Sequence, residues 1–257
     1  MKIENWGVKI MYMNVLTWNI KAGQNKDGSY PIPKTKNLDR IAEAVKDSKA
    51  SAACFQEVDA CTLRSGIKIH QAAYIADRLT SITGKAWNYE YIVSKNMNPG
   101  YYGNAILSCY PLTTTLKISL PKVNSREDRS FLLTRVDGDN FYTYVGTFHL
   151  GLQGDHSIQA QQIKDILNNK GYFNKRLILG GDLNAREGSD TYDIMINHGF
   201  PMIDIGPAGV CTLNCYNNPD NPKIDFLFMR GLSTYVLRSE VLSADISDHR
   251  PVKLCQC

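Results

Sequence analysis

Eight polar side chains stand at the ends of apolar runs, where a plain hydrophobic core would not place them. They are Asn19, Glu57, His149, Asp182, Asn184, Asp225, Asp248 and His249. The set holds four carboxylates, two amides and two imidazoles, and it contains no cysteine. Oxygen-dominated ligands favour a hard cation such as Mg²⁺ or Mn²⁺ over zinc. With histidine as a proton carrier, the set predicts metal-assisted hydrolysis of a phosphate ester.

The segment RLILGGDLNA at residues 176–185 carries the pattern in its most compact form. Its apolar run predicts a buried strand, and the two following glycines allow a tight turn or the close approach of a ligand. Asp182 and Asn184 are two residues apart, so on an extended chain they point to the same face. A turn closed by an Asx hydrogen bond is the structural alternative for this segment.

The other polar positions also have structural alternatives. Asp225 lies inside the apolar run KIDFLF, where a carboxylate is costly unless it is paired or bound to a cation. Glu57 can be a solvated strand end, His149 a hydrogen-bonded core histidine, and Asp248 a turn cap. Because each alternative explains one residue alone, the functional interpretation depends on the eight residues occurring together.

The elements that must position these residues are short strands with helices between some of them. Apolar runs and turn residues predict strands over residues 15–20, 52–55, 87–93, 104–108, 112–120, 130–136, 141–150, 177–179, 224–229, 235–242 and 251–254. Helical spacing predicts helices from a cap at Asn37, over 69–82 with Gly84 ending it, over 155–169, and from a cap at Ser189 to Asn197. Strands that meet in hairpins over 87–150 favour an antiparallel sandwich with flanking helices over a doubly wound parallel sheet.

Length and composition describe an ordinary globular protein. The chain has 257 residues, of which 43% are hydrophobic and 21% charged, and it shows no linker and no long repeat. We therefore expect one domain over residues 1–257, with residues 1–12 as an N-terminal extension. The net charge of +4 suits an anionic substrate and is too small to indicate nucleic-acid binding by itself.

Seven cysteines, an odd number without zinc-finger spacing, favour reduced thiols in a cytoplasmic protein. A secreted protein with a Cys211–Cys215 disulfide is the alternative. The sequence has no signal-peptide apolar region and no run of about 18 apolar residues, so we expect no transmembrane segment. We expect the protein to be a monomer.

Seven motifs appear in one order along the chain. They are TWNI at 17–20, QEV at 56–58, GNAILS at 103–108, TFHL at 147–150, GGDLNA at 180–185, IDFLF at 224–228 and SDHRP at 247–251. In this order and spacing the chain resembles the endonuclease/exonuclease/phosphatase superfamily, and Arg64-Ser65-Gly66 resembles its bacterial metal-dependent hydrolase branch. The resemblance implies a DNase I-like, four-layered α/β sandwich of two mainly antiparallel β-sheets flanked by helices.

The resemblance also implies a bound Mg²⁺ or Mn²⁺. Glu57 is then the principal metal ligand, with Asn19 and Asp248 helping directly or through water. Asp182 positions or activates the attacking water, and Asp225 orients its histidine partner.

Histidines and amides complete the implied site. His249 is the general base or a phosphate-contacting histidine, Asn184 holds the phosphate, and His149 stabilises the charged transition state. Asn104 and Tyr102 line the substrate site. Arg64 either contacts the substrate phosphate or forms a structural salt bridge.

The predicted function is hydrolysis of a phosphate mono- or diester by metal-assisted water attack. The alternatives are an endonuclease or exonuclease acting on DNA or RNA, and a non-catalytic binding module on the same fold. A nuclease needs basic and aromatic groups around the site to follow a nucleic-acid backbone, and the sequence shows no dense cluster of them.

Overall fold

Two six-stranded sheets and four α-helices make up the fold. A computed structural model describes residues 13–124, 127–139, 141–197, 199–232 and 237–256. The expected N-terminal extension, residues 1–12, and the start of the strand expected from Tyr235 lie outside these ranges. The strands are β1 Val15–Asn19, β2 Ala52–Ala60, β3 Asn88–Asn96, β4 Tyr101–Ser108, β5 Leu112–Leu120, β6 Arg129–Gly138, β7 Phe141–His149, β8 Leu177–Asp182, β9 Ile203–Asp204, β10 Asp225–Arg230, β11 Leu237–Val241 and β12 Val252–Gln256. The helices are α1 Lys36–Asp47, α2 Gln71–Thr83, α3 Asp155–Asn169 and α4 Asp190–Asn197.

Both sheets are mainly antiparallel. The strand order is β11-β12-β1-β2-β4-β3 in the first sheet and β5-β6-β7-β8-β10-β9 in the second. Among the described strand pairs, only β1–β2 and β7–β8 are parallel. Parallel neighbours need a crossover connection, and α1 and α3 supply the two crossovers. The expected antiparallel sandwich with flanking helices is therefore confirmed.

Three apolar clusters separate four layers. The first packs α1 and α2 against the outer face of the first sheet, and includes Leu16, Trp18, Leu38, Phe55 and Ile75. The second packs α3 and α4 against the second sheet, and includes Phe148, Ile163, Leu179, Met195 and Phe226. The third lies between the sheets, and includes Val15, Cys54, Ile106, Val145, Ile178 and Leu227. This is the four-layered sandwich that the family resemblance implied.

The alternation of side chains along β8 places a polar residue next to the inter-sheet cluster. In β8, Leu179 belongs to the outer cluster and Ile178 to the inner one. Because strand side chains alternate, Gly180 and Asp182 share the inward face with Ile178. A Cβ atom at position 180 would lie 2.9 Å from the Cβ of Thr17 in the facing sheet. Glycine therefore lets the sheets approach closely one step before Asp182.

Two of the expected helix signals are confirmed and one is wrong. Gly84 ends α2 in the left-handed region at φ 68°, and the Ser189 Oγ accepts a hydrogen bond from the Tyr192 amide at 3.3 Å ahead of α4. Asn37 does not cap α1, which begins at Lys36. Its buried amide instead donates to the Gly23 carbonyl at 3.2 Å, so it ties the loop after β1 to the helix.

A disulfide joins Cys211 and Cys215, so the expectation of reduced thiols is wrong for this pair. The chain turns at Asn214, whose φ is 49°, and brings the two Cα atoms to 5.7 Å, within the range that a disulfide requires. Within the described ranges, Cys54, Cys61 and Cys109 are free.

None of the helices that the structure describes is long and apolar enough to cross a bilayer.

Candidate active site

The polar cluster lies where the inward faces of both sheets change from apolar to polar. In the second sheet, His149 is the register partner of Asp182 on the parallel strand β7, and Asp225 is its partner on the antiparallel strand β10. All three side chains are buried. One row across three neighbouring strands thus brings together residues 33 and more positions apart in the sequence.

His249 completes this row from the segment before β12. Its Nδ1 lies 2.8 Å from Asp225 Oδ2, and its Nε2 lies 3.9 Å from Asp182 Oδ2. Burial alone would lower the pKa of His249, but Asp225 first, then Asp182 and Asp248, raise it to about 10. The imidazole is therefore protonated at neutral pH and can donate from both nitrogens.

The Asp182 carboxylate contacts polar side chains from both sheets. Its Oδ2 lies 3.1 Å from Asn19 Nδ2 and 3.5 Å from His149 Nε2. Burial and the neighbouring Asp225 raise the pKa of Asp182 to about 7, against the opposing effect of His249. A carboxylate with a pKa in this range can exchange a proton near neutral pH.

Asn184 holds the other oxygen of this carboxylate. Its backbone amide donates to Asp182 Oδ1 at 2.9 Å, and its φ is 50°. This is the Asx hydrogen bond of the structural alternative, and it fixes Asp182 at the cluster. The structural and functional interpretations of GGDLNA are therefore compatible. The Asn184 side chain donates to the Leu150 carbonyl at 2.8 Å.

His149 stands between a carboxylate and a cation. Its Nδ1 is 3.2 Å from Nη1 of Arg129. Burial, and then the positive charge of Arg129, hold the pKa of His149 well below its usual range. This imidazole is neutral, in contrast to His249.

Glu57 reaches the cluster from the first sheet. The register of β2 against β4 shifts between Phe55 and Val58, and Glu57 sits in this bulge with a φ of 55°. Its Oε1 accepts a hydrogen bond from Asn19 Nδ2 at 3.0 Å. Within the described part of the chain, no cationic side chain forms an ion pair with Glu57.

Asp248 is directed to a different partner. Its Oδ2 pairs with Lys21 Nζ at 2.8 Å, and its Oδ1 lies 3.2 Å from Ser247 Oγ. A cation that bound Asp248 directly would have to displace Lys21. Similarly, Asn19 Oδ1 accepts from the Lys21 amide at 3.1 Å, which leaves the Asn19 side chain facing Glu57 and Asp182 as a donor.

The donor set fits a hard divalent cation. Glu57 and Asp182 are two carboxylates joined through the neutral amide of Asn19, and Glu57 has no ion-pair partner among the described residues. Asp182, Asp225 and His249 also offer ligand atoms within 4.8 Å of one another. Within this group, His249 Nδ1 and Asp225 Oδ2 are already joined by a hydrogen bond, whereas Glu57 accepts only from the neutral amide of Asn19.

A cavity of about 160 Å³ adjoins Glu57. Its wall is formed by Glu57, Arg64, Lys95, Met97, Tyr102, Glu127 and Asp128. Arg64 donates to both oxygens of the buried Asp59, at 2.8 and 2.7 Å, which is the structural salt bridge among its two alternatives. Asn104 is buried and donates to the Ser130 carbonyl at 2.9 Å. Three residues were expected at the substrate site. Two of them, Tyr102 and Arg64, line this cavity, and Asn104 is not among its wall residues.

A polar layer supports the cluster from below, and sequence reasoning missed it. The buried Gln56 side chain donates to Thr17 Oγ1 at 3.1 Å and to Thr147 Oγ1 at 3.0 Å. These residues lie between the apolar inter-sheet cluster and the row of His149 and Asp182. The sequence did carry a signal for this layer. Thr17 and Thr147 each stand two residues before a predicted site residue, Asn19 and His149, and so lie on the same face of the strand.

The sequence offers Arg129 only as a candidate basic residue for the rim of a nuclease site, and not as a buried partner of a site histidine. Arg129 starts β6, its side chain is 4% exposed, and it pairs with Glu127 Oε2 at 2.6 Å. An arginine at a strand start is commonly solvated, so the local sequence gave no signal of its burial.

Comparison with known proteins places these features in context. The model of the endonuclease/exonuclease/phosphatase family matches residues 16–249. A search of curated proteins finds no match.

Solved structures share the fold at low sequence identity. A mannosyl-6-phosphatase from Bacteroides thetaiotaomicron is 17% identical, with a TM-score of 0.69 over 96% of this chain and 100% of that one. Sphingomyelinase C from Streptomyces griseocarneus is 16% identical, with a TM-score of 0.67 over 94% and 98%. A Staphylococcus aureus beta toxin mutant with bound magnesium ions is 16% identical, with a TM-score of 0.68 over 96% and 100%.

Proposed function

This chain belongs to the endonuclease/exonuclease/phosphatase family, and on that premise we propose that it hydrolyses a phosphate mono- or diester by direct attack of water. One observation carries the proposal. Two buried histidines converge on one oxygen of a buried carboxylate, since His149 Nε2 lies 3.5 Å and His249 Nε2 3.9 Å from Asp182 Oδ2.

Asp182 acts as the base in this proposal. Its pKa, raised to about 7 by burial and by Asp225, suits it to take a proton from the attacking water. The Asn184 amide holds one carboxylate oxygen and leaves the other directed into the cluster. Removal of the proton accompanies attack of the water oxygen on phosphorus. The bond from phosphorus to the ester oxygen breaks, and the alcohol leaves and takes its proton from solvent.

His249 acts as a hydrogen-bond donor to a phosphoryl oxygen. Its Nδ1–H is held by Asp225 at 2.8 Å, which fixes the plane of the ring. Because its pKa is raised to about 10 by Asp225 and the other carboxylates, the imidazolium keeps its proton at neutral pH. Of the two roles expected for His249, phosphate contact is thus favoured over general base.

His149 and Asn184 provide uncharged donors beside Asp182. Preorganised donors directed at the developing negative charge lower the transition-state energy. His149 Nε2 faces the same carboxylate oxygen as His249. The Asn184 side chain has one amide hydrogen bonded to Leu150 O, so its second hydrogen is available for the phosphate.

Glu57 is the residue we assign as principal holder of Mg²⁺ or Mn²⁺, with Asn19 placed between it and Asp182. When bound, such a cation supplies charge stabilisation at the phosphoryl oxygens. Asp248 binds the cation directly only if its pair with Lys21 opens.

The adjoining cavity favours a compact substrate over a nucleic-acid strand. Its charged wall residues are three acids and two bases, namely Glu57, Glu127, Asp128, Arg64 and Lys95. Arg64 is already bound to Asp59, so the wall residues that the structure describes offer little free positive charge. A groove that follows a nucleic-acid backbone needs a continuous positive surface. The volume of about 160 Å³ is also below that of typical ligand pockets.

Hydrolysis of p-nitrophenyl phosphate and bis-p-nitrophenyl phosphate with Mn²⁺, with and without a chelator, tests the proposal. We expect turnover that the chelator abolishes and that falls by a factor of 100 or more in Asp182→Asn and His249→Ala. His156→Ala is the matched control, because His156 bonds to Thr191 Oγ1 on the helical layer, and Asp190→Asn is the control for Asp182.

Two outcomes would count against a phosphoesterase. One is no turnover of either ester by the folded parent, and the other is turnover that survives His249→Ala. A panel of plasmid DNA, RNA and small sugar or polyol phosphates then divides the substrate classes, and faster cleavage of nucleic acid would favour the nuclease alternative.

A further inference from the structure

Arg129 lies directly behind His149 and has a defined set of partners. Its Nη1 is 3.2 Å from His149 Nδ1 and 3.3 Å from Tyr102 Oη, and its Nη2 is 2.6 Å from Glu127 Oε2. The side chain is only 4% exposed. A buried guanidinium thus contacts Nδ1 of His149, while the other ring nitrogen, Nε2, is directed at Asp182.

The chemistry of these partners fixes the proton on His149. A guanidinium has hydrogen-bond donors and no acceptor, so Nδ1 of His149 must be the acceptor in this contact. In a neutral imidazole the other nitrogen, Nε2, then carries the hydrogen. On the far side, Nε2 is 3.5 Å from Asp182 Oδ2, and a carboxylate oxygen accepts. Both neighbours of the ring therefore select the same tautomer.

We propose that Arg129 is a positioning residue that holds His149 as the neutral Nε2–H tautomer and so makes this histidine an obligatory hydrogen-bond donor in the site. Donation to a phosphoryl oxygen rests on the proposed function. The tautomer itself follows from the contacts of Arg129 and Asp182 with the ring.

The two histidines of the site are backed by partners of opposite character. His249 Nδ1 faces the carboxylate of Asp225, which can only accept, so His249 carries a hydrogen on Nδ1. His149 Nδ1 faces the guanidinium of Arg129, which can only donate. Asp225 and Arg129 thereby give the two histidine side chains different protonation patterns.

Arg129 also connects the chemistry to the cavity. The same Nη1 that contacts His149 lies within hydrogen-bond distance of Tyr102 Oη, and Tyr102 lines the cavity beside Glu57. Arg129 therefore holds the ring of a site histidine and a wall residue of the cavity in one geometry.

Two-bond ¹H–¹⁵N correlation spectra of the metal-free 257-residue chain with ¹⁵N-labelled histidine test the proposal. The chain has five histidines, and His149→Gln identifies the His149 signals. We expect the parent to show the neutral Nε2–H pattern alone at neutral pH. In Arg129→Met we expect a Nδ1–H or doubly protonated population of His149, and a kcat at least tenfold lower.

Arg135→Met is the matched control, since Arg135 lies on the same strand, pairs with Asp137 and is 45% exposed. It should leave both the His149 pattern and kcat unchanged. Arg129→Lys is the second variant, should Arg129→Met fail to fold. It keeps a cation beside Glu127 but lacks the planar fork, and we expect it to lose the pure Nε2–H pattern as well.

The spectra separate this proposal from the proposed function. A parent that shows the Nδ1–H form of His149, or variants of Arg129 that all keep the pure Nε2–H pattern, would overturn the role of Arg129 whatever happens to kcat. A parent that shows the expected tautomer but hydrolyses no phosphate ester would leave the role of Arg129 in place and remove the phosphoesterase proposal.

Discussion

Asp182 shows how a single side chain acquires its chemistry from its neighbours. Three donors surround its carboxylate, from Asn19, Asn184 and His149. Yet burial and the charge of Asp225 raise its pKa to about 7. An exposed aspartate with the same donors would be a poor base at neutral pH, because its pKa would lie far lower.

The pH dependence of hydrolysis is the first prediction at the residue scale. A base must be ionised, so kcat/KM should rise as pH passes about 7, the raised pKa of Asp182. It should fall as pH passes about 10, where His249, whose pKa is raised by its carboxylate neighbours, loses its proton. Asp225→Asn removes a negative charge that raises both pKa values, so both limbs should move to lower pH. A profile that Asp225→Asn leaves in place would contradict the assigned roles.

Metal binding at Glu57 is the second prediction. The described residues provide no ion-pair partner for this carboxylate, so a cation has no competitor there. Glu57→Gln should weaken Mn²⁺ binding by more than tenfold, since even the loss of a group that only orients a ligand costs about 10–100-fold in affinity. Isothermal calorimetry measures this change.

Glu43→Gln is the control for Glu57→Gln, because Glu43 is an exposed helix residue paired with Arg78. Equal Mn²⁺ affinity in the parent and in Glu57→Gln would remove Glu57 from the ligand set and direct attention to the cluster of Asp182, Asp225 and His249.

The sequence identified some site residues and missed others for a physical reason. Asp225 was identifiable because a carboxylate inside an apolar run is costly without a compensating partner. Arg129 was not, because its burial depends on Tyr102 and His149, which are 27 and 20 positions away. The pair of Lys21 with Asp248 was equally hidden, since it joins residues from opposite ends of the chain.

At the scale of elements, the close approach of β1 and β8 determines the depth of the site. An added Cβ at Gly180 would lie 2.9 Å from Thr17 Cβ and 3.1 Å from Leu227 Cδ2. Gly180→Ala should therefore lower the free energy of unfolding by about 1–3 kcal/mol, the usual cost of overpacking. Chemical denaturation measures the change.

Gly206→Ala is the control for Gly180→Ala, because an added Cβ there meets side-chain ends and no facing strand, with Lys223 Nζ at 3.2 Å and Asp204 Oδ1 at 3.3 Å. If Gly180→Ala proves as stable as the control, the two sheets can separate without cost and the close contact does not determine the spacing at the site.

The disulfide loop between β9 and β10 supports the catalytic row from outside. The Thr212 carbonyl accepts from the Arg250 amide at 2.7 Å, and the Asn214 amide donates to the Asp248 carbonyl at 2.7 Å. Thr212 Oγ1 also accepts from the Asp225 amide at 3.1 Å. The segment that the Cys211–Cys215 bond closes thus holds the backbone on both sides of His249.

Removal of this disulfide should loosen the site. For a cross-link between residues four positions apart, the chain-entropy relation gives a stabilisation of about 2 kcal/mol. The double variant Cys211→Ser/Cys215→Ser should lose this amount and show a lower kcat, and a reductant should have the same effect on the parent. Cys109→Ser, at a free cysteine, is the control. A parent whose unfolding is unaffected by reductant would contradict the prediction.

The ends of helices and strands were predicted correctly where one sequence signal was much stronger than the others. The helix α3 was predicted to its ends at Asp155 and Asn169, because its apolar residues recur at helical spacing. Asn37 was misassigned because an asparagine at a helix start is usually a cap, whereas this one is buried and bonds to the loop after β1. The two-residue strand β9 has too few residues to show a period.

For the whole molecule, the inter-sheet cluster makes the two sheets interdependent. Val15 and Cys54 from the first sheet pack with Val145 and Ile178 from the second, and the site draws residues from both. We propose that the described residues form one domain, as the sequence predicted. Unfolding followed by tryptophan fluorescence, far-UV circular dichroism and loss of hydrolysis should then give coincident transitions. Two separated transitions would indicate two domains.

The disulfide bears on where the protein works. Such bonds persist in oxidising compartments and are rare in the cytosol. The bond between Cys211 and Cys215 therefore favours the secreted alternative over the expected cytoplasmic location. The expectation of a monomer stays a prediction, which sedimentation can test.

The row of His149, Asp182 and Asp225 across three paired strands limits how genes for such a protein can change length. Side chains alternate along a strand, so a one-residue insertion or deletion within β8 would turn Asp182 away from its partners and bring Leu179 into the inter-sheet layer. The loss of the site and of the core would come from a single mutational event. In-frame length variation is therefore expected to accumulate in surface loops, such as the segment between α2 and β3, and to be purged from the strands that end at the site.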